Sequence, residues 1–237
     1  RFNEHAASQA AFKAGVSPEV VYAEPGALVL RFIEGLTLTP EDVRRDEMLE
    51  RIIPLITKVH KTIPRFFKGP SLVFWVFHVL RDYSQTIRKD RSRMAGELDT
   101  LMKNADNLEK KVGAIDLVYG HNDLLAANFI DDGERLWLID WDYAGYNSPL
   151  FDLGGLASNN ELSHDQEHWM LKNYFGTETE KIDFRRYEAM KCASLLREAM
   201  WSMVQEIHSS LDFDFVDYTD KNLELFHKAL EQFNQNS

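Results

Sequence analysis

At 237 residues and 44% hydrophobic side chains, the chain is long enough for one large domain or two small ones with a substantial core. Its formal charge of −11 argues against a nucleic-acid partner or an anionic membrane surface and favours cationic ligands or metal ions. No apolar run approaches the ~18 residues of a membrane span, and the lone cysteine, Cys192, sits in an apolar helical pattern that implies burial and fits the cytoplasm.

The first residues, RFNEHAASQA, carry neither a signal peptide's apolar centre nor a starting Met, so the N-terminus reads as cut. Glu4 to Ala14 is Ala-rich and stops at Gly15, as a helix with a glycine C-cap does. Two strand-like runs, Glu19 to Glu24 and Ala27 to Ile33, flank Pro25-Gly26 and predict a hairpin. Thr39 caps the next helix, with Pro40 in its first turn and Met48, Ile52, Leu55, Ile56 and Val59 on one buried face; Pro54 is expected to kink it. From Ser71 to Lys111 the pattern is helical, with the charged RKDRSR as a solvated face or a break. Beyond Asn160 most of the chain reads as helix: Ser163 and Gln166 form a capping box, Gly176 stops that helix, and Asp183 to Ser209 and Asn222 to Phe233 complete the series.

Between these helices lies a β-hairpin. Asp132-Gly133 predicts a turn that pairs Asn128–Ile130 antiparallel with Leu136–Ile139. Asn128 then lies close to Asp140, and Asp123 sits on the loop leading in, after a strand Leu117–Tyr119 and a sharp turn at Gly120. Carboxylates gathered in a partly apolar setting are costly unless protonated or bound to a cation, and a hard cation with oxygen ligands is the simpler relief. Read singly, Asp123 is a loop cap and Asn128 and Asp140 are a hydrogen-bonded pair at a hairpin end.

His121-x-Asp123 followed by Asn128 has the H-x-D-x-x-x-x-N spacing of the kinase catalytic loop, and Asp140 stands where kinases keep a second metal-binding aspartate. The longer string HNDLLAANFI…LIDWDYAGYNSPLFDLG resembles the choline/ethanolamine kinases, a branch of the aminoglycoside phosphotransferase superfamily. Asn122 points to that branch, which reads H-N-D where aminoglycoside phosphotransferases read H-G-D. The resemblance implies an α+β, protein-kinase-like fold: a truncated small lobe and hinge over residues 1–35, and a mostly helical large lobe with a β-hairpin catalytic core over 36–237.

It also implies ATP and Mg2+ as cofactors, Asp123 as catalytic base, and Asn128 and Asp140 as magnesium ligands. Asp142, where the family commonly has glutamate, reaches the metal directly or through water. His121 supports the neighbouring metal-binding segment, and Asp152 braces the catalytic loop through backbone amides. Glu4 is placed like the glutamate that pairs with the ATP-binding lysine, and Phe32, Ile33 and Glu34 like the hinge that meets adenine. In the family a nucleotide-binding loop and the lysine strand come before the residues seen here, so the chain reads as a fragment that transfers phosphate poorly by itself.

The acceptor implied is a small cationic primary alcohol, choline or a related amino alcohol. Trp201 matches a tryptophan of the choline cage, and Glu198, one helical turn earlier, stands where eukaryotic choline kinases tend to have a second aromatic; a carboxylate there suits an ammonium that donates hydrogen bonds. Thiamine or aminoglycoside acceptors, a nucleotide-binding pseudokinase, and a zinc hydrolase built on HDQEH (His164 to His168) are the alternatives.

Overall fold

The computed structural model describes residues 2–181 and 183–235. They form two compact units, one within residues 2–74 and 116–181 and the other within 75–115 and 183–235. The lobe boundary expected near residue 35 falls inside the first unit.

The first unit begins with helix α1 (Phe2–Lys13), whose Ala7, Ala10 and Ala11 are buried, as is Ala14 just beyond it, and Gly15 follows at φ +68°. Strands β1 (Val20–Glu24) and β2 (Ala27–Leu30) pair antiparallel across Pro25-Gly26. The second strand stops at Leu30 instead of reaching Ile33, and Phe32 is 87% exposed. A short strand β3 (Leu36–Thr37) follows, then α2 (Pro40–Val43), capped by Thr39 and Asp42, and α3 (Asp46–Thr62). The single helix expected after Thr39 is two, because Arg45 adopts an extended backbone (φ −71°, ψ 131°) between them. Helix α3 runs through Pro54 and buries Met48, Leu49, Ile52, Ile53, Ile56, Val59 and His60.

Strand β4 (Val118–Gly120) pairs antiparallel with β7 (Gly145–Asn147). The hairpin of β5 (Phe129–Asp131) and β6 (Leu136–Leu138) takes β3 on its other edge, in the order β3-β5-β6. The hairpin turn is held by Asp132, whose carboxylate accepts from the amides of Glu134 and Arg135 and from the Trp137 indole, while Gly133 sits at φ +90°. Residues 71–74 are extended rather than helical: Tyr146 donates to the Leu72 carbonyl and Phe74 to that of Tyr146, both at 2.8 Å. Helices α6 (Pro149–Asn159) and α7 (His164–Phe175) close the unit, capped by Ser148 and by the Ser163–Gln166 box; α3 packs on α7 and β4, and α6 on β4.

The second unit is helical: α4 (Val76–Lys89), α5 (Leu98–Val112), α8 (Phe184–His208) and α9 (Phe215–Gln235), with α8 packed on the other three. The RKDRSR segment is a break, turned by Arg91 at φ +56°. Helix α9 starts earlier than expected because Asp214 accepts from the Asp217 amide at 3.0 Å, an N-cap ahead of its first turn. Cys192 is buried in α8. Among the described residues no helix is long and apolar enough to cross a membrane.

Candidate active site

The loop between β4 and β5 carries Asp123. Gly120 is the last residue of β4, and no side chain fits there: a Cβ would lie 2.8 Å from Asn122 Oδ1 and 3.1 Å from Asp152 Oδ2. Asn122 adopts φ +67°, a left-handed conformation that asparagine tolerates better than most residues. Its side-chain amide donates to the carbonyls of Tyr143 (3.0 Å) and Gly145 (3.2 Å) and accepts from Asn147 Nδ2 (3.3 Å), stitching the loop to the segment that ends in β7. The sequence used Asn122 only as a family marker; the fold makes it a fastener. Asp123, half-buried, offers its carbonyl to the Leu125 amide at 3.0 Å and to Asn128 Nδ2 at 2.8 Å.

Asp152, on α6, is 2% exposed and accepts from the amides of His121 (2.8 Å) and Asn122 (2.7 Å) and from His60 Nε2 (2.9 Å). Burial pushes its carboxyl up, but the His60 hydrogen bond, the charges of His60 and His121 and the His121 amide outweigh burial and hold it below the usual carboxylate range. His60 in turn meets the Tyr174 hydroxyl through Nδ1 at 2.6 Å. Neither His60 nor Tyr174 was singled out from sequence; the available signal was a histidine on the otherwise apolar face of α3.

His121 donates from Nε2 to the Ile139 carbonyl at 2.9 Å and sets its ring edge-on to Trp141, with centroids 4.8 Å apart. It thereby ties the loop to the Ile139 carbonyl before Asp140 and to the Trp141 ring after it. The Ile139 amide bonds the Asn128 carbonyl at 3.0 Å, placing Asn128 across the ladder from Ile139 and next to Asp140. Asp140 is exposed at φ +64°, a backbone state that costs an aspartate on the order of 1 kcal/mol and is typical of functional positions.

The oxygens here suit a hard cation. With its nitrogen spent on Asp123, Asn128 has Oδ1 without a hydrogen bond among the described residues, and the exposed carboxylates of Asp140 and Asp142 have neither hydrogen bond nor ion pair among them. Asn128 and Asp140 are therefore not bonded to each other. No group of three or more His, Cys, Asp and Glu side chains among the described residues is placed to hold a metal ion. Magnesium shared with phosphates needs only one or two carboxylates from the protein, so the amide and two carboxylates fit it. Around HDQEH, Glu167 is buried, and the His164 and His168 rings tilt against each other at 4.2 Å.

Glu4 lines a cavity of about 760 Å³ between α1 and the β1–β2 hairpin, with His5, Ala23, Glu24, Gly26 and Leu28. Phe32, Ile33 and Glu34 lie in the irregular segment between β2 and β3. That segment is anchored to the hairpin bearing Asn128: β3 pairs with β5, and a Cβ on Gly35 would stand 2.6 Å from the Asp131 carbonyl. Arg51 of α3 clasps the Asp131 carboxylate with both terminal nitrogens (2.5 and 2.8 Å), which holds that carboxyl below its usual range.

In the second unit, Trp201 belongs to an aromatic group. Its ring stands edge-on to Phe215 and Tyr218, with centroids 6.1 and 6.4 Å away, and Phe213 packs on both at 4.8 and 5.6 Å. Glu198 is 8% exposed; it accepts from the Tyr218 hydroxyl at 2.8 Å and pairs with Arg197 at 3.0 Å. Burial and the Glu198 charge push the Tyr218 hydroxyl up, which keeps it a neutral donor. Phe213, Phe215 and Tyr218 were missed, although DFDFVDY is an unusually aromatic stretch for a helix junction.

A family model described as choline/ethanolamine kinase matches residues 1–187. A protein of Arabidopsis thaliana named probable ethanolamine kinase is 28% identical over 234 residues, covering 86% of this chain and 62% of that protein. Protein LicA of Haemophilus influenzae is 25% identical, covering 94% of this chain and 85% of LicA. The crystal structure of a choline/ethanolamine kinase family protein from Mesorhizobium loti matches with a TM-score of 0.86 at 28% identity, over 98% of this chain and 81% of that one. The chain thus spans less than two thirds of the plant relative, and its fold is the α+β, protein-kinase-like one. A family model that covers all of the first unit, with the H-N-D loop, its asparagine and the aspartate after β6 in place, makes the chain a member of the choline/ethanolamine kinase family.

Proposed function

We propose that this chain carries the transfer site of an ATP-dependent kinase that phosphorylates the hydroxyl of a small amino alcohol, choline or ethanolamine. The observation that carries the reading is the Asp123–Asn128–Asp140 array, in which hydrogen bonds to backbone hold the loop while the carboxylates of Asp140 and Asp142 have no ion pair among the described residues. Asp123 accepts the proton of the attacking hydroxyl as the new oxygen–phosphorus bond forms and the bond to the departing ADP breaks. Asn128 and Asp140 hold magnesium, with Asp142 beside them. When bound, the ion neutralises charge on the phosphates and fixes their orientation. Phe32, Ile33 and Glu34 meet the adenine, and Glu4 serves the phosphate-binding side.

Trp201 and Tyr218 supply aromatic faces for the cationic end of the acceptor, an attraction of roughly 0.5–2 kcal/mol. Glu198 orients Tyr218 through its hydroxyl and keeps the second lone pairs of its oxygens for an ammonium N–H. The single cysteine, Cys192, buried and in no disulfide, suits the cytoplasm. The test is ADP release by the full natural chain with a panel of choline, ethanolamine, thiamine and aminoglycosides. Turnover with choline or ethanolamine is expected; turnover only with another acceptor, or with none, overturns the reading.

A further inference from the structure

A single file of hydrogen bonds reaches the catalytic loop from three helices of the first unit. It starts at the Tyr174 hydroxyl on α7, passes through both ring nitrogens of His60 on α3, and enters the Asp152 carboxylate on α6. It ends on the amides of His121 and Asn122, the two residues before Asp123. His60 is 3% exposed, so neither it nor Asp152 has bulk water as a substitute partner. The chemistry fixes the ring's tautomer at one end. An ionised carboxylate only accepts, so Nε2 must carry a proton whatever the charge of the ring, and Nδ1 faces the Tyr174 hydroxyl.

We propose that His60 is a positioning residue for phosphoryl transfer, acting through Asp152 to set the peptide planes that aim Asp123. Asp152 already takes two amide protons, one on each oxygen. The His60 N–H is its third donor, arriving at Oδ2, the oxygen that also holds the His121 amide. Without it the carboxylate is left under-satisfied in a dry site and is free to rotate, and the two amides rotate with it. Tyr174 is the far anchor. Its T-shaped contact with the His60 ring, centroids 5.5 Å apart, holds the imidazole in the plane that serves both bonds. Because Asp123 is proposed to touch the reacting proton while the fastening acts on the backbone before it, the cost of losing His60 falls on turnover and not on substrate binding.

The inference rests on the kinase reading, so its test has an arm that does not need activity. In the full natural chain, His60→Leu removes the donor, and His60→Gln returns an N–H at about the position of Nε2. His60→Leu is expected to lower kcat by about tenfold or more, with the KM values for ATP and acceptor within about twofold, and Gln is expected to recover most of the loss. In parallel, amide hydrogen exchange at His121 and Asn122 is expected to accelerate in the Leu variant and to stay slow in the Gln variant. Wild-type kcat in a folded Leu variant, or a Gln variant no better than Leu in both kcat and exchange, overturns the proposal. Should both variants fail to fold, Tyr174→Phe decides: a lowered kcat at unchanged KM supports the file, and an unchanged kcat ends it. If the wild-type protein phosphorylates none of the acceptors, the kinase reading fails, and the exchange arm still judges the His60–Asp152 link.

Discussion

The side-chain amide of Asn128 donates to the backbone carbonyl of Asp123 at 2.8 Å, so the residue proposed to hold magnesium also holds the peptide of the residue proposed as base. One side chain thereby links the two proposed roles, with its nitrogen on the loop and its oxygen without a hydrogen bond among the described residues.

That division of labour separates in Asn128→Asp. An aspartate keeps an oxygen ligand but cannot donate to the Asp123 carbonyl, and its charge repels it. Magnesium-dependent nucleotide binding should persist, while kcat falls by roughly tenfold or more. Unchanged kcat in a variant that still binds the nucleotide would show that the bond to Asp123 is idle.

Asp123→Asn removes the proposed proton acceptor with little change of shape. Turnover should fall by about 10²–10⁴, and nucleotide affinity should stay within about threefold, since the base touches the attacking hydroxyl and not the phosphates. Single-turnover kinetics beside equilibrium nucleotide titration reads both quantities.

Asp140→Ala should weaken nucleotide binding in magnesium and have little effect in EDTA, because the term lost is the ion bridge to phosphate. The same substitution also relieves an aspartate from φ +64° only if the backbone can relax, so thermal stability should change by no more than about 1 kcal/mol. Equal losses with and without magnesium would remove Asp140 from the metal site.

Trp201→Ala should raise the acceptor KM by about tenfold, or ~1.4 kcal/mol if KM tracks affinity, and leave the KM for ATP nearly unchanged. The Phe215 and Tyr218 rings that contact Trp201 make some loss of stability unavoidable. The kinetics therefore belong at a temperature well below the variant's melting transition, and an unaltered acceptor KM would send the search for the cation site elsewhere.

Asp152 contributes to acid stability in a direction fixed by its depressed carboxyl. Its unfolded value is about 3.9 and its folded value is lower, so below about pH 4 the unfolded chain binds a proton that the native protein does not. The contribution is present above that pH and is lost as the pH falls through the folded value. Urea unfolding at a series of pH values should show stability falling with acidification by up to ~1.4 kcal/mol per unit from this group. In Asp152→Asn that part of the slope should vanish, and stability at neutral pH should drop by about 3 kcal/mol because one buried accepting oxygen becomes an NH2 group that faces a donor and cannot accept from it.

The catalytic hairpin was legible in the residues because its signals are local. Asp132-Gly133 specifies a turn, β-branched and aromatic residues flank it, and the spacing from Asp123 to Asn128 is short enough for the chain alone to set their approach. Most helix limits were legible for the same reason, with Thr39, Ser163, Gly15 and Gly176 acting within one turn of their own positions. Strands β3 and β7 were not, since two or three residues carry no measurable period, and both exist only because a distant partner satisfies their backbone groups.

By itself the sequence determined the family, the order of the chemical groups along the chain, and which of them lie on one loop and one hairpin. Tertiary structure alone decided what holds that loop still. His60, Asp152 and Tyr174 come from three separate helices, and the nearest two in sequence are 22 residues apart, so no spacing rule predicts that they form one hydrogen-bonded file. Likewise, Asp142 and Asp152 look alike as letters in a string, but one is exposed with no ion pair or hydrogen bond among the described residues and the other is buried under three donors. Burial and hydrogen-bond partners assign a carboxylate its role, and both are properties of the packed chain rather than of the residue.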